Sequence, residues 1–124
     1  MAQKIFNMTP YEAVFFHPCF HEYEISIPSS GVISTSVPEG SRPSGFIGCV
    51  PEWDAGSMRP EGVPEHLEDG AVYIVTPSAA IALKAAGYDM SRFRLVDGAR
   101  LSESSEGSAG PRFSLRGTGL ARII

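Results

Sequence analysis

Apolar residues in this chain occur in short runs separated by proline and glycine, and this pattern limits the fold to short elements. Residues 22–27 alternate, with Tyr23, Ile25 and Ile27 on one side, a period of two that is typical of a half-buried strand. Residues 28–31 predict a turn, and the β-branched run 32–37 predicts a second strand. The sequence therefore predicts an antiparallel hairpin over these residues.

One strand-to-helix unit is marked by several independent signals. Residues 71–75 form the most continuous apolar run and predict a central strand. Thr76 is suited to the N-cap and Pro77 to the first helical position, and strong helix formers follow as far as Gly87, which suits a helix end. The sequence therefore predicts one short helix over about residues 77–86.

The rest of the chain predicts further strands and two long loops. The additional strands are expected at residues 13–16, 45–50 and 93–96, and residues 113–115 and 120–124 are expected to form a last strand or a strand pair. Exposed loops are expected over about residues 51–70, which are rich in proline, glycine and acidic residues, and about 101–111, which are rich in serine and glycine. The predicted fold class is α+β: one β-rich domain, residues 1–124, of six to seven short, mostly antiparallel strands and one helix.

Composition indicates a globular protein of the cytoplasm. Apolar residues make up 43% of the chain and charged residues 19%. No apolar run is long enough to span a membrane, and the N-terminus has no secretory signal pattern. The two cysteines, Cys19 and Cys49, lie in apolar stretches and are expected to be reduced, buried core thiols.

The charges are segregated along the chain. Residues 1–83 contain ten acidic and three basic side chains, whereas residues 84–124 contain seven basic and four acidic ones. The second part is either a solvated face or a basic surface that meets an anionic partner. Its arginines are Arg92, Arg94, Arg100, Arg112, Arg116 and Arg122. The net charge of −4 makes nucleic acid an unlikely partner.

The segment His17-Pro18-Cys19-Phe20-His21 contains the one cluster of metal-type ligands. In an extended chain, His17, Cys19 and His21 share a face, and zinc accepts such ligands. A closed site needs a fourth ligand, and the remaining histidine, His66, is distant in sequence. A turn between two strands, with Cys19 or Phe20 buried, is the favoured interpretation, and no cofactor is expected.

Trp53 lies within the acidic loop and has two interpretations. It either folds back over the core or serves, with Asp54 and Arg59, as an anchor for a partner.

The segment Arg116-Gly117-Thr118-Gly119, together with Arg112, is a candidate anion site. Its spacing departs from that of a phosphate-binding loop, and no helix follows it. A bulge between two strands accounts equally well for the two glycines.

Three motifs resemble those of a group of small proteins of bacteriophages and prophages. They are Asn7-Met8-Thr9-Pro10, Ile27-Pro28-Ser29-Ser30-Gly31 and Gly70-Ala71-Val72-Tyr73-Ile74-Val75-Thr76. The resemblance implies a shared fold and brings no catalytic residues. It also implies a context, since small phage proteins without enzyme motifs often bind host components, including those of bacterial immune systems.

These observations give three functional hypotheses. The leading one is a non-enzymatic binding protein of phage or mobile-element type that acts on a host protein in the bacterial cytoplasm, as an inhibitor of a host defence system. The alternative is a protein that binds or sequesters an anionic nucleotide through Arg112 and residues 116–119. A metal-dependent enzyme using His17, Cys19 and His21 is the third and least favoured hypothesis, because no nucleophile–base pair accompanies them.

Overall fold

A computed structural model of the chain describes residues 4–16, 24–54, 57–104 and 112–123. This part contains twelve strands and one α-helix. The strands are β1 (Ile5–Asn7), β2 (Glu12–Phe16), β3 (Glu24–Ile27), β4 (Ser34–Ser36), β5 (Gly45–Ile47), β6 (Val50–Glu52), β7 (Arg59–Glu61), β8 (Val72–Ile74), β9 (Phe93–Asp97), β10 (Arg100–Ser104), β11 (Arg112–Gly117) and β12 (Gly119–Arg122), and the helix is α1 (Pro77–Ala85).

The predicted strand-to-helix unit is confirmed. Strand β8 leads directly into α1, and the Thr76 hydroxyl accepts a hydrogen bond from the Ala79 N–H at 3.3 Å, as an N-cap does. Pro77 occupies the first turn, where its missing N–H costs nothing. The helix ends just before Gly87, whose φ of +88° suits glycine.

The first sheet has the strand order β1–β8–β9–β12 and carries α1 on one face. Strands β1, β8 and β9 are parallel, and α1 connects β8 to β9 as a crossover between parallel strands requires. Tyr73 and Phe93 on this face pack with Leu83 of the helix in a fully buried cluster. Among the described residues, this cluster is the larger of two apolar cores.

The second sheet has the strand order β10–β11–β2–β3 and covers the opposite face of the first. Ala13 and Phe15 of β2 are buried against Ile74 of β8 and Val96 of β9. The result is three layers: helix, first sheet and second sheet.

The chain passes between the two sheets at Gly117 and Thr118, where β11 ends and β12 begins. A Cβ on Gly117 would lie 2.3 Å from Val96 Cγ1 and 2.6 Å from the Asp97 carbonyl oxygen. The Thr118 N–H donates to that same oxygen at 2.9 Å. Only glycine lets the main chain approach β9 this closely.

Asn7 is a buried polar hub that ties the start of both sheets together. Its side-chain oxygen accepts from the Thr9 N–H at 3.0 Å and from the Thr9 hydroxyl at 2.6 Å. Its side-chain nitrogen donates to the carbonyls of Tyr11 at 2.7 Å and Ile27 at 2.9 Å. The Ser29 hydroxyl joins this network by donating to the Thr9 carbonyl at 2.7 Å. The motif around Asn7 is thus built into the fold.

The α+β class with one short helix is confirmed, whereas the expected six to seven strands were too few. Twelve short strands occur within the described ranges, because proline and glycine cut the ladders into segments as short as three residues. Five of the eight strand pairings are antiparallel.

The predicted hairpin over residues 22–37 is wrong. Strand β3 pairs with β2, whereas β4 pairs with β7 in a separate two-stranded sheet. The region 51–70 is also not one loop, since it holds the end of β6 and all of β7. Of the expected loop 101–111, residues 101–104 belong to β10 and the others lie outside the described ranges. Within those ranges, no helix is both long and apolar enough to cross a membrane.

Candidate functional site

Strands β5 and β6 form a two-stranded hairpin, here called the apolar ribbon (residues 45–52). Ile47 pairs with Val50 across a two-residue turn, Gly48-Cys49. Gly48 has φ of +62° and Cys49 does not have a positive φ, a combination that matches a type II′ turn. The Ser44 N–H and hydroxyl both donate to the Glu52 carbonyl, at 2.8 and 2.9 Å, and close the base of the ribbon.

The apolar ribbon exposes large apolar side chains on both of its faces. Phe46, Ile47 and Val50 show 67%, 70% and 67% of their surface to solvent. The register places Ile47 beside Val50 on one face and Phe46 beside Pro51 on the other. Among the described elements, no other helix or strand packs extensively against the ribbon. Antiparallel strands normally hide one apolar face against a core, and this ribbon hides neither.

Cys49 was expected to be a buried core thiol, and this is wrong. It lies at the turn of the ribbon and is exposed. The run 45–50 is not one strand, because Gly48 reverses the chain within it. Cys19, the other cysteine, lies outside the described residues.

The predicted partner-binding residues lie close to the apolar ribbon in sequence. Trp53 follows β6 directly and is half-buried, while Asp54 is exposed and its carbonyl accepts from the Ser57 N–H at 3.0 Å. Arg59 is exposed on β7, in the small sheet with β4. A half-buried Trp53 at the ribbon's base is compatible with either predicted role.

The predicted anion-binding segment is engaged in contacts within the protein. The Arg116 guanidinium lies 5.4 Å from the centre of the Phe16 ring and 3.4 Å from a carboxylate oxygen of Glu24. Gly117 and Thr118 contact β9, as described above, and Gly119 begins β12. Arg112 contributes its main chain to β11, and its side chain lies outside the described part.

The predicted basic surface is divided among different environments. Arg92 is used inside the fold, where it donates to the main-chain carbonyls of Ala71 and Glu68. Arg94 and Arg122, by contrast, are register partners on β9 and β12 and line one groove. Both arginines belong to the basic residues predicted to form one surface, but only the strand register shows that these two meet.

The predicted metal ligands His17, Cys19 and His21 lie outside the described residues. Within the ranges that are described, no group of three or more histidine, cysteine, aspartate or glutamate side chains is placed to hold a metal ion.

Comparison with known proteins gives no relative from which a function could be transferred. No protein family, curated protein or solved structure matches this chain.

Proposed function

We propose that this chain is a non-enzymatic binding protein that recognises another protein by inserting its apolar ribbon into an apolar groove. The observation that carries the proposal is the exposure of Phe46, Ile47 and Val50 on both faces of a hairpin that no described core element covers. Contiguous exposed apolar side chains mark interaction sites, because leaving them in water is unfavourable. A ribbon with two apolar faces suits a groove with two walls.

The contact is expected to be made by side chains, not by the addition of a strand. Pro51 has no N–H, so β6 is a poor edge for another strand to join. Phe46 is the expected anchor, since aromatic residues that enter a pocket carry much of the binding energy of an interface. Trp53, at the base of the ribbon, supplies a second aromatic side chain at the border of the proposed contact.

The charge near the apolar ribbon specifies the chemistry of the partner. Glu52 is the last residue of the ribbon and Asp54 lies two residues further on, and residues 1–83 as a whole carry ten acidic and three basic side chains. An apolar groove bordered by lysine and arginine is therefore the complementary surface. In the phage or mobile-element context that the resemblance implies, we propose a protein of the bacterial host, and specifically a component of a defence system, as the partner.

The test compares ribbon variants with a matched control on one purified partner. A partner is first captured from bacterial lysate with the tagged full chain and then purified. Its affinity is measured for the wild type, Phe46→Ser, Ile47→Ser and Ile25→Ser, at low and at high salt. Ile25 is the control because it is 55% exposed on β3, in the second sheet.

The two ribbon variants should weaken binding by roughly tenfold or more, because each removes a large apolar contact of about 1.5–3 kcal/mol. Ile25→Ser should leave the affinity within about twofold of the wild type, as expected of a surface change away from the contact. Added salt should weaken the complex. Equal affinity of all four proteins, or a ribbon-dependent complex made only of copies of this chain, would overturn the proposal.

A further inference from the structure

Arg94 and Arg122 form a pair of like charges directly opposite each other across β9 and β12. Such a pair destabilises a sheet, because the two side chains project on the same face at a short separation. Among the described residues, Lys4 pairs with Glu68 and Arg116 pairs with Glu24, and neither ion pair involves Arg94 or Arg122. The arginine pair therefore lacks a carboxylate counter-charge within the described part of the chain.

Arg94 is held in place by main-chain carbonyls. One of its terminal nitrogens donates to the carbonyls of Ser91 at 2.6 Å and Phe93 at 2.8 Å. These bonds fix the half-buried guanidinium and leave its remaining N–H groups for another acceptor. A guanidinium held in this way loses little freedom when an anion binds.

The two arginines line a groove whose size fits a small ligand. The groove has a volume of about 460 Å³, and its lining residues are Met90, Ser91, Arg94, Arg122 and Ile123. None of these is acidic. Its two charged groups are thus both positive, and its remaining walls are largely apolar.

A second, more apolar cavity adjoins the first at Ile123. It has a volume of about 320 Å³, and its lining is apolar except for Lys84: Pro77, Ala80, Ile81, Leu95 and Ile123 form the rest. A ligand that begins at the arginine pair can extend along Ile123 into this apolar space. The two cavities together therefore favour a molecule with an anionic end and an apolar body.

We propose that this groove binds a small organic anion. The two guanidinium groups hold its phosphate or carboxylate group, and the second cavity holds its apolar part. The site is separate from the predicted anion segment at residues 116–119, where Arg116 is already paired with Glu24. It is also independent of the apolar ribbon, so either proposal can fail without the other.

The test is a titration of the ¹⁵N-labelled full chain, tagged at its N-terminus, followed by NMR. The probes are inorganic phosphate, octyl phosphate, octanoate and adenosine monophosphate, which separate the anionic group from an alkyl or a nucleoside body. The variants are Arg122→Gln, Ile81→Ser and, as the matched control, Arg100→Gln. Arg100 is exposed on β10, and its replacement changes the net charge by the same amount.

Octyl phosphate or adenosine monophosphate should bind more tightly than inorganic phosphate, with shifts centred on Arg94, Arg122 and Ile123. Arg122→Gln should weaken binding by about tenfold to a hundredfold, the loss of a charged hydrogen-bond donor. Ile81→Ser should remove the preference for the apolar body while the affinity for inorganic phosphate is kept.

Three outcomes would overturn the proposal. One is the absence of saturable shifts in the groove with any of the four probes at millimolar concentration. Another is an equal loss of affinity in Arg100→Gln and Arg122→Gln, which would mean attraction to positive charge alone. The third is unchanged binding in Arg122→Gln while its spectrum shows an intact fold.

Discussion

Replacing Asn7 with alanine should be among the most destabilising single changes in this chain. The side chain is fully buried and makes four hydrogen bonds. Without the Asn7 side chain, the Thr9 N–H has no acceptor and the Ile27 carbonyl loses a donor. The Tyr11 carbonyl still accepts a hydrogen bond from the Thr9 hydroxyl at 3.0 Å. Each buried group left unpaired costs about 1–3 kcal/mol. Because Ile27 is only half-buried, we expect Asn7→Ala to lower the free energy of unfolding by about 2–4 kcal/mol.

Urea unfolding followed by far-UV circular dichroism measures this loss. Ser29→Ala is the matched control, because it removes a hydroxyl at the edge of the same network and leaves the contacts of Asn7 in place. We expect the control to cost about 1 kcal/mol or less. If Asn7→Ala cost no more than Ser29→Ala, at an unchanged slope against urea, the hub would not support the fold as argued.

Three further changes test other parts of the fold. By urea unfolding, Gly117→Ala should lower the free energy of unfolding by about 1–3 kcal/mol through overpacking. Gly119→Ala, whose Cβ meets no atom within 4 Å, should lower it by less than about 0.5 kcal/mol. Equal losses in the two variants would contradict the close approach at Gly117. Thr76→Ala should lose about 1 kcal/mol with the N-cap, and an unchanged thermal midpoint would refute this. Hydrogen bonds from Ser91 lower the pKa of Asp89. Its stabilising effect is thus present above the ordinary carboxyl pKa of 3.8 and is lost as the pH falls through the lowered value. The difference in thermal midpoint between Asp89→Asn and the wild type should therefore disappear in acid. A difference that does not change with pH would contradict a stabilising role of the Asp89 carboxylate.

The sequence predicted best those elements whose signals are local. The start and end of α1 follow from Thr76, Pro77 and Gly87, which act through their own neighbours in the chain. Alternation of apolar residues likewise gave the strand at residues 24–27. It could not give that strand's partner, because alternation shows which side chains share a face and not whether β3 pairs with the strand before it or the strand after it.

The candidate sites were harder to predict for physical reasons. Apolar residues such as Phe46 and Ile47 normally indicate a core, so their exposure on the apolar ribbon could not be predicted from residue type. The prediction of one strand over residues 45–50 also missed the turn at Gly48 and Cys49. Arg94 and Arg122 are far apart in the chain, and only the pairing of β9 with β12 places them opposite each other.

Site-specific photo-crosslinking from the tip of the apolar ribbon tests the central proposal most directly. Cys49 is exposed at the turn, and Cys19→Ser leaves it as the single cysteine of the chain. A benzophenone attached to Cys49 should crosslink one bacterial protein, and excess unlabelled wild type should compete with the reaction while unlabelled Phe46→Ser should not. The crosslinked peptide of that partner should come from an apolar groove bordered by basic residues. Equal competition by the wild type and Phe46→Ser, or crosslinks scattered over many proteins, would contradict the proposal that the ribbon is the binding element.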